Sequence, residues 1–131
     1  MPQSLLDIVN KVLNGLENNG PNIEATAVFD TDGLVIASRL PGGVDDEVIG
    51  AMTAAILSIS NRSSEELDRG KMKRVLVEGD EGSIIIMSVG EDLVLVTLVG
   101  ENVKLGILFY ELSRCVAQMV EIIGTQAAVR V

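Results

Sequence analysis

The sequence predicts an α+β domain: one five-stranded antiparallel sheet, sandwiched by a central helix on one face and the two terminal helices on the other. Three observations carry this reading. Apolar stripes of helical period open, interrupt and close the chain. The strand-like runs between them are joined by links too short for parallel crossovers. Two of those runs are apolar at every position, which a sheet supports only when both of its faces are covered.

Ser4 to Glu17 reads as the first helix. Ser4 is a candidate N-cap, with Asp7 three residues on in the place of a capping-box acid. Leu5, Ile8, Val9, Val12, Leu13 and Leu16 form one buried stripe, and Asn18-Asn19-Gly20-Pro21 stops the helix with residues that favour left-handed or non-helical backbone. A hairpin follows: Ala25 to Phe29 and Leu34 to Ser38 flank the tight turn Asp30-Thr31-Asp32-Gly33. Arg39-Leu40-Pro41-Gly42-Gly43 then releases the chain to cross over. None of these glycines has the spacing of a phosphate-binding loop, because no Gly-Lys-Ser/Thr follows.

The central helix runs from Asp45 to about Leu67. Asp45, Asp46 and Glu47 open it, where free N–H groups and partial positive charge favour carboxylates. Val48, Met52, Ala55, Ile56 and Ile59 form a broad apolar face expected to lie on the sheet. The opposite side holds Gly50, Ala54, Leu57, Ser58 and Asn61, and no charged residue occurs between Glu47 and Arg62. A helix with its back to water carries charges there. Small uncharged residues instead predict a helix buried on both sides, by its own sheet and by a partner. A central helix of a monomeric core would give the same pattern.

Three strands follow: Lys73 to Glu78, Ser83 to Val89, and Leu93 to Val99. The turns Gly79-Asp80-Glu81-Gly82 and Gly90-Glu91-Asp92 make them an antiparallel meander. Ile84-Ile85-Ile86 and Leu93-Val94-Leu95-Val96 are the runs without alternation. The last helix extends from Val103 to about Ile123. Its core stripe is Leu105, Leu108, Phe109, Leu112, Val116, Met119 and Ile123, its wet side Lys104, Glu111, Arg114, Gln118 and Glu121, and Gly124 its expected C′ residue. Residues 1–124 are thus expected to form a single domain. Residues 125–131 read as a C-terminal tail without amphipathic pattern, either disordered or docked on a neighbour.

Composition narrows the function. The 131 residues suffice for one core without metals or disulfides. With 47% apolar but only 2% aromatic residues, that core is aliphatic. A formal charge of −9 argues against nucleic acid and against anionic membrane surfaces. The cluster Arg69, Lys71, Lys73 and Arg74 reads as a solvated loop. The chain has one cysteine, Cys115, and no histidine. No intrachain disulfide can form, and the commonest general base and metal ligand are missing. No basic leader precedes Asp7, and the longest apolar runs are far too short to span a bilayer. A cytoplasmic protein without membrane insertion is expected.

No catalytic or metal-binding constellation emerges, and no cofactor is called for. The pairs Asp30/Asp32 and Glu91/Asp92 flank turns, and Asp45-Asp46-Glu47 cluster at a helix start, where acids are structurally favoured. Cys115 reads as a small buried hydrophobe with no histidine to activate it.

The element order, the hairpin Ala25-Thr26-Ala27-Val28-Phe29-Asp30-Thr31-Asp32-Gly33-Leu34-Val35-Ile36-Ala37-Ser38, the small-residue helix around Ala51 to Ser60, the meander, and Lys104-Leu105-Gly106 together resemble the Roadblock family of dynein-light-chain and GTPase-regulator domains. The resemblance covers about residues 4 to 123 and implies a profilin- or longin-like sandwich. It implies pairing of two subunits through the central helix and the edge strand Lys73 to Glu78. The implied interface residues are Gly50, Ala51, Ala54, Leu57, Ser58, Asn61, Lys73, Val75 and Val77. The assembly is then a homodimer, with a heteromer as the alternative. The implied biochemistry is interaction: binding of a small Ras-like GTPase, as scaffold or as activator of hydrolysis. No arginine stands out as a catalytic finger, though Arg62, Arg69 and Arg74 lie near the pairing region. A small-molecule sensor of PAS- or profilin-like layout is the competing reading, and it requires an enclosed apolar pocket.

Overall fold

Eight elements form in the expected order: α1 Leu5–Asn19, β1 Ile23–Asp30, β2 Val35–Ser38, α2 Asp46–Glu66, β3 Arg74–Gly79, β4 Gly82–Val89, β5 Leu93–Val99 and α3 Leu105–Val129. The computed structural model describes residues 4–19 and 22–129, with the backbone alone for Asn19 and residues 124–129. Ser4 caps α1, its Oγ accepting the Asp7 N–H at 3.1 Å. Gly20 and Pro21 of the expected stop lie outside the described residues. At α2, Asp45 is the N-cap, and its Oδ1 accepts the Glu47 and Val48 N–H groups at 3.0 and 3.4 Å. Asp68 closes that helix in the left-handed region at φ 58°, a position more often given to glycine.

The last helix is longer than expected. Its backbone stays helical through Val129, so Gly124 is not a C′ residue. One glycine inside a helix costs only about 1 kcal/mol against alanine, and Gln126, Ala127 and Ala128 beyond it are good helix formers. Residues 130 and 131 of the expected tail lie outside the described residues.

The sheet order is β2-β1-β5-β4-β3, antiparallel throughout. The turns join β1 to β2 and β3 to β4 to β5. The pairing of β1 with β5, with Val28 opposite Leu95 and Ala27 opposite Val96, welds hairpin and meander into one sheet. Alternate residues then divide between two cores. On one face Val28, Ile85, Met87 and Leu95 pack with Val9, Leu13, Leu108, Leu112 and Met119 of α1 and α3. On the other, Ala27, Phe29, Ile86, Val94 and Val96 pack with Leu57 of α2. Each fully buried Leu, Ile, Val, Met or Phe contributes about 1.5–3 kcal/mol relative to exposure. Both faces of β5 are therefore covered, as its unbroken apolar run requires. Ile84 departs from that expectation, since 37% of it stays exposed beyond the reach of α2.

Three hydrogen bonds fix the layers laterally. Glu17 of α1 accepts the Thr26 hydroxyl at 2.9 Å and Arg39 Nη1 at 3.0 Å, while Arg39 Nη2 donates to the Asn10 carbonyl at 3.2 Å. These ties hold α1 against the hairpin. On the opposite face, α2 meets the hairpin turn backbone to backbone. Gly33, at φ 91°, lies against Gly50, and a Cβ on Gly50 would run into the Gly33 carbonyl oxygen and come within 3.0 Å of Phe29.

Gly50→Ala is expected to destabilise the fold by about 1–3 kcal/mol, because its contact is backbone that cannot rotate away. Gly15→Ala in α1 should instead gain up to about 1 kcal/mol, since an added methyl there meets nothing within 4 Å. Thermal melting of the two variants checks both signs.

Candidate interaction surface

The outer face of α2 is the feature that sets this surface apart. At 100° per residue, Gly50, Thr53 and Leu57 fall on one side, and all three are buried. Ile49 and Ile56 flank them and pack on the same core. The opposite side presents Val48, Met52 and Ile59, which are 51%, 54% and 67% exposed, with Ala51, Ala55 and Ser58 also exposed between them. Arg62 and Glu66 close the face with an exposed i,i+4 ion pair at 3.0 Å. A helix on a sheet normally turns its largest aliphatics inward. Here Leu57, Ile49 and Ile56 do so, while the comparably large Val48, Met52 and Ile59 point to solvent.

This corrects the sequence reading of α2, which put Val48, Met52, Ala55 and Ile59 on the sheet and Gly50 and Leu57 outward. Gly50 lies under the hairpin turn, and Leu57, 6% exposed, is part of the inner core. Neither presents its side to a partner in this arrangement. The physical reason is space. Phe29, Ile86, Val94 and Val96 fill much of the layer from the sheet side, and Gly50 and Thr53, with Leu57, Ile49 and Ile56 beside them, complete it. Of the other expected interface residues, Ala51 and Ser58 are exposed, and Ala54 and Asn61 half-buried at the border of the two faces. Lys73 and Val77 are exposed along β3, whereas Val75 is partly buried against the inner core.

Val48, Met52, Ala55 and Ile59 are thus the surface residues that sequence reasoning misplaced. A helix with aliphatic residues on both sides can pack either way round. Only the bulk of the opposing sheet decides.

β3 borders this surface as the edge strand of the sheet. The link from α2 is pinned by the Ser64 hydroxyl, which donates to the Gly70 carbonyl at 2.6 Å. Arg69, Lys71, Lys73 and Arg74 emerge there, all exposed. The Arg74 guanidinium sits over the Phe109 ring, 4.5 Å from its centroid. Arg62 pairs with Glu66 at the exposed end of α2.

The remaining candidates carry structural roles. Asp30 Oδ1 accepts the Asp32 and Leu34 N–H groups, both at 2.9 Å, and so builds the hairpin turn. Among the described residues no group of three or more His, Cys, Asp or Glu side chains could hold a metal ion. Between α1 and α3 runs an open groove lined by apolar residues such as Ile8, Val12 and Leu16 and by the charged Lys11, Glu111 and Arg114, unlike the enclosed apolar pocket a sensor needs. Among the described residues no helix is long and apolar enough to cross a membrane.

This architecture places the protein in the profilin-like class, a five-stranded antiparallel sheet with helices on both faces. Acanthamoeba castellanii profilin II superposes with a TM-score of 0.55 at 14% identity, over 90% of this chain and 98% of profilin. Within that class the chain belongs to the Roadblock/LC7 domain family, whose family model matches residues 9–99. The family is one of regulatory, non-catalytic domains. The uncharacterized protein MJ0310 of Methanocaldococcus jannaschii is 36% identical over 107 residues, 82% of this chain and 92% of that one. Myxococcus xanthus MglB shares the fold at a TM-score of 0.86 and 18% identity, over 96% of this chain and 95% of its own.

Cys115 provides a check on the α3 packing. Burial pushes its thiol up from 9.0 to about 11. The thiol is neutral at physiological pH and should react with a disulfide reagent at pH 8 only after unfolding. Because the folded value lies above the unfolded one, the associated stability is intact below pH 9 and lost as pH rises through about 11. Cys115→Ala should remove that alkaline component from a pH series of denaturant melts.

Proposed function

We propose that this protein is a dimeric regulatory or scaffold module of the cytoplasm that binds a small Ras-like GTPase and modulates its GTP hydrolysis or localisation. Two copies pair through the outer face of α2 and the edge of β3, and the paired helices form the GTPase-binding platform. The observation that supports this most directly is the solvent-facing stripe Val48, Met52, Ala55 and Ile59. Contiguous exposed aliphatics of this kind mark association surfaces on water-soluble domains. A two-fold contact brings the stripe against its own copy and doubles every favourable contact made there. The GTPase itself is what membership in the family supports. An activating effect would come from ordering the GTPase's own switch residues.

Sedimentation velocity tests the pairing. The native chain is expected to be dimeric at micromolar concentration, and Met52→Glu, which sets two carboxylates face to face across the axis, to be monomeric with its helical circular dichroism retained. A Met52→Glu protein as dimeric as the native one would remove the α2 surface from the interface.

The GTPase half is tested by mixing the native protein with a GTP-loaded Ras-like GTPase encoded in the same genome. Co-elution, or an altered hydrolysis rate, is expected. Absence of both for every such GTPase would refute the regulatory role while leaving the dimer intact.

A further inference from the structure

Helix α2 leaves part of its own sheet face bare. Past Leu57 it carries no buried residue, and one row of the sheet on that side stays uncovered. Register defines the row: Val77 lies opposite Ile84, and Ile84 opposite Leu98. Two residues away on each strand stand Val75, Ile86 and Val96, which pack in the α2 core, so the row shares their face. Val77 and Ile84 are 40% and 37% exposed, and Leu98 is half-buried. Single exposed aliphatics are ordinary, but three in register across three strands form a contiguous patch. Beside it lies an open depression of about 480 Å³, lined by Ile84 and Leu98 together with Glu24, Asp80 and Glu81, and by no lysine or arginine. Among the described residues none of these three carboxylates is held in an ion pair or hydrogen bond. Nor does any group of three acids there stand close enough to hold a metal ion, so the three act as separate acceptors.

We propose that this acid-rimmed row docks an extended segment of another protein that carries an aliphatic side chain between two cations, in the pattern Lys/Arg-x-aliphatic-x-Lys/Arg. The spacing follows from the sheet. Glu24 belongs to β1, and Asp80 and Glu81 to the turn joining β3 to β4. From β1 to that turn is two to three strand spacings, or ~12 Å. In an extended chain, residues four apart lie ~13 Å from each other on one face, with the residue midway between them on the same face. The two cations therefore reach the carboxylates at either end, while the middle aliphatic covers Ile84 and Leu98. The apolar contact supplies attraction, and the charge-assisted ends select the sequence. A second copy of this chain does not supply the motif. Its only two cations four residues apart, Arg69 and Lys73, have Lys71 between them. The formal charge of −9 also favours a basic partner at longer range. The inference goes beyond the pairing and GTPase readings and needs neither.

Heteronuclear NMR titration with three capped synthetic heptapeptides tests this. The first is Thr-Lys-Thr-Leu-Thr-Lys-Thr, the second has glutamates for its lysines, and the third has serine for its leucine. The first is expected to bind saturably and to shift the Ile84 and Leu98 amides, and the other two to bind about tenfold or more weakly. Added salt should weaken the first peptide. Two variants of the protein, shown to be folded by circular dichroism, probe the two halves of the site. Ile84→Thr keeps a β-branched residue in the strand, and Asp80→Asn with Glu81→Gln neutralises the exposed turn. Each is expected to weaken the first peptide about fivefold. If Ile84→Thr does not fold, the turn variant decides. No saturable binding, equal binding of all three peptides, or unchanged binding by either folded variant would overturn the proposal. Met52→Glu is expected to bind the first peptide as the native chain does. Binding by Met52→Glu and none by the native chain would assign the row to self-association and overturn the proposal as well. Failure of the GTPase to co-elute leaves the peptide result untouched, so the two readings fall separately.

Discussion

Where α2 crosses the β1–β2 turn, Gly33 and Gly50 meet with no side chain between them, and the placement of the central helix depends on that contact. Gly33 is needed twice, for the positive φ of the hairpin turn and for the approach of the helix backbone. Gly50 is needed because the turn's carbonyl occupies the space a methyl would take. A helix pinned at that point cannot roll about its axis to bury its larger side chains. Thr53 and Leu57 follow Gly50 inward at helical spacing, and Val48, Met52 and Ile59 are carried outward with the same rigidity.

The sheet makes this outcome stable rather than strained. Its α2-facing side supplies the bulk of that core through Phe29, Ile86, Val94 and Val96. Larger residues on the inner side of the helix would overfill the layer at the density protein interiors reach. The opposite face of the sheet divides its load differently. There α1 and α3 bring Leu13, Leu108, Leu112 and Met119 to meet Val28, Ile85 and Leu95, and the helices carry as much of the packing as the strands. One sheet thus works with two unlike helical layers. One layer is bulky and closed, the other thin and apolar on its outside.

The thin layer carries the surface proposed here for association. An aliphatic stripe adjoins an edge strand with unpaired backbone groups, and the edge carries opposite charges at its two ends. In the proposed pairing, burial of apolar area would supply non-directional attraction and the strand edge directional hydrogen bonds. Membership in the Roadblock/LC7 family accords with a domain whose chemistry lies in contacts rather than in catalysis.

Local sequence determined most of the architecture, because most of it is enforced locally. The Ser4 and Asp45 caps, the Asp30-to-Gly33 turn, the meander turns and the stripes of α1 and α3 each depend on residues within a few positions of one another, and each forms where the sequence places it, apart from Leu5 of the α1 stripe, which is 37% exposed. The unbroken apolar run of β5 announced a sheet covered on both faces. The end of α3 was missed because glycine discourages a helix without forbidding one. The orientation of α2 was not legible at all. Large aliphatics lie on both of its faces, Leu57 and Ile56 on one and Val48, Met52 and Ile59 on the other, so hydrophobicity alone is compatible with burial of either. The choice was made by residues far away in the chain: by Gly33, which admits Gly50, and by the β1–β5 pairing, which sets Phe29 beside Val94 beneath the helix. Steric volume across a layer is a property of the assembled sheet, and no window of sequence contains it.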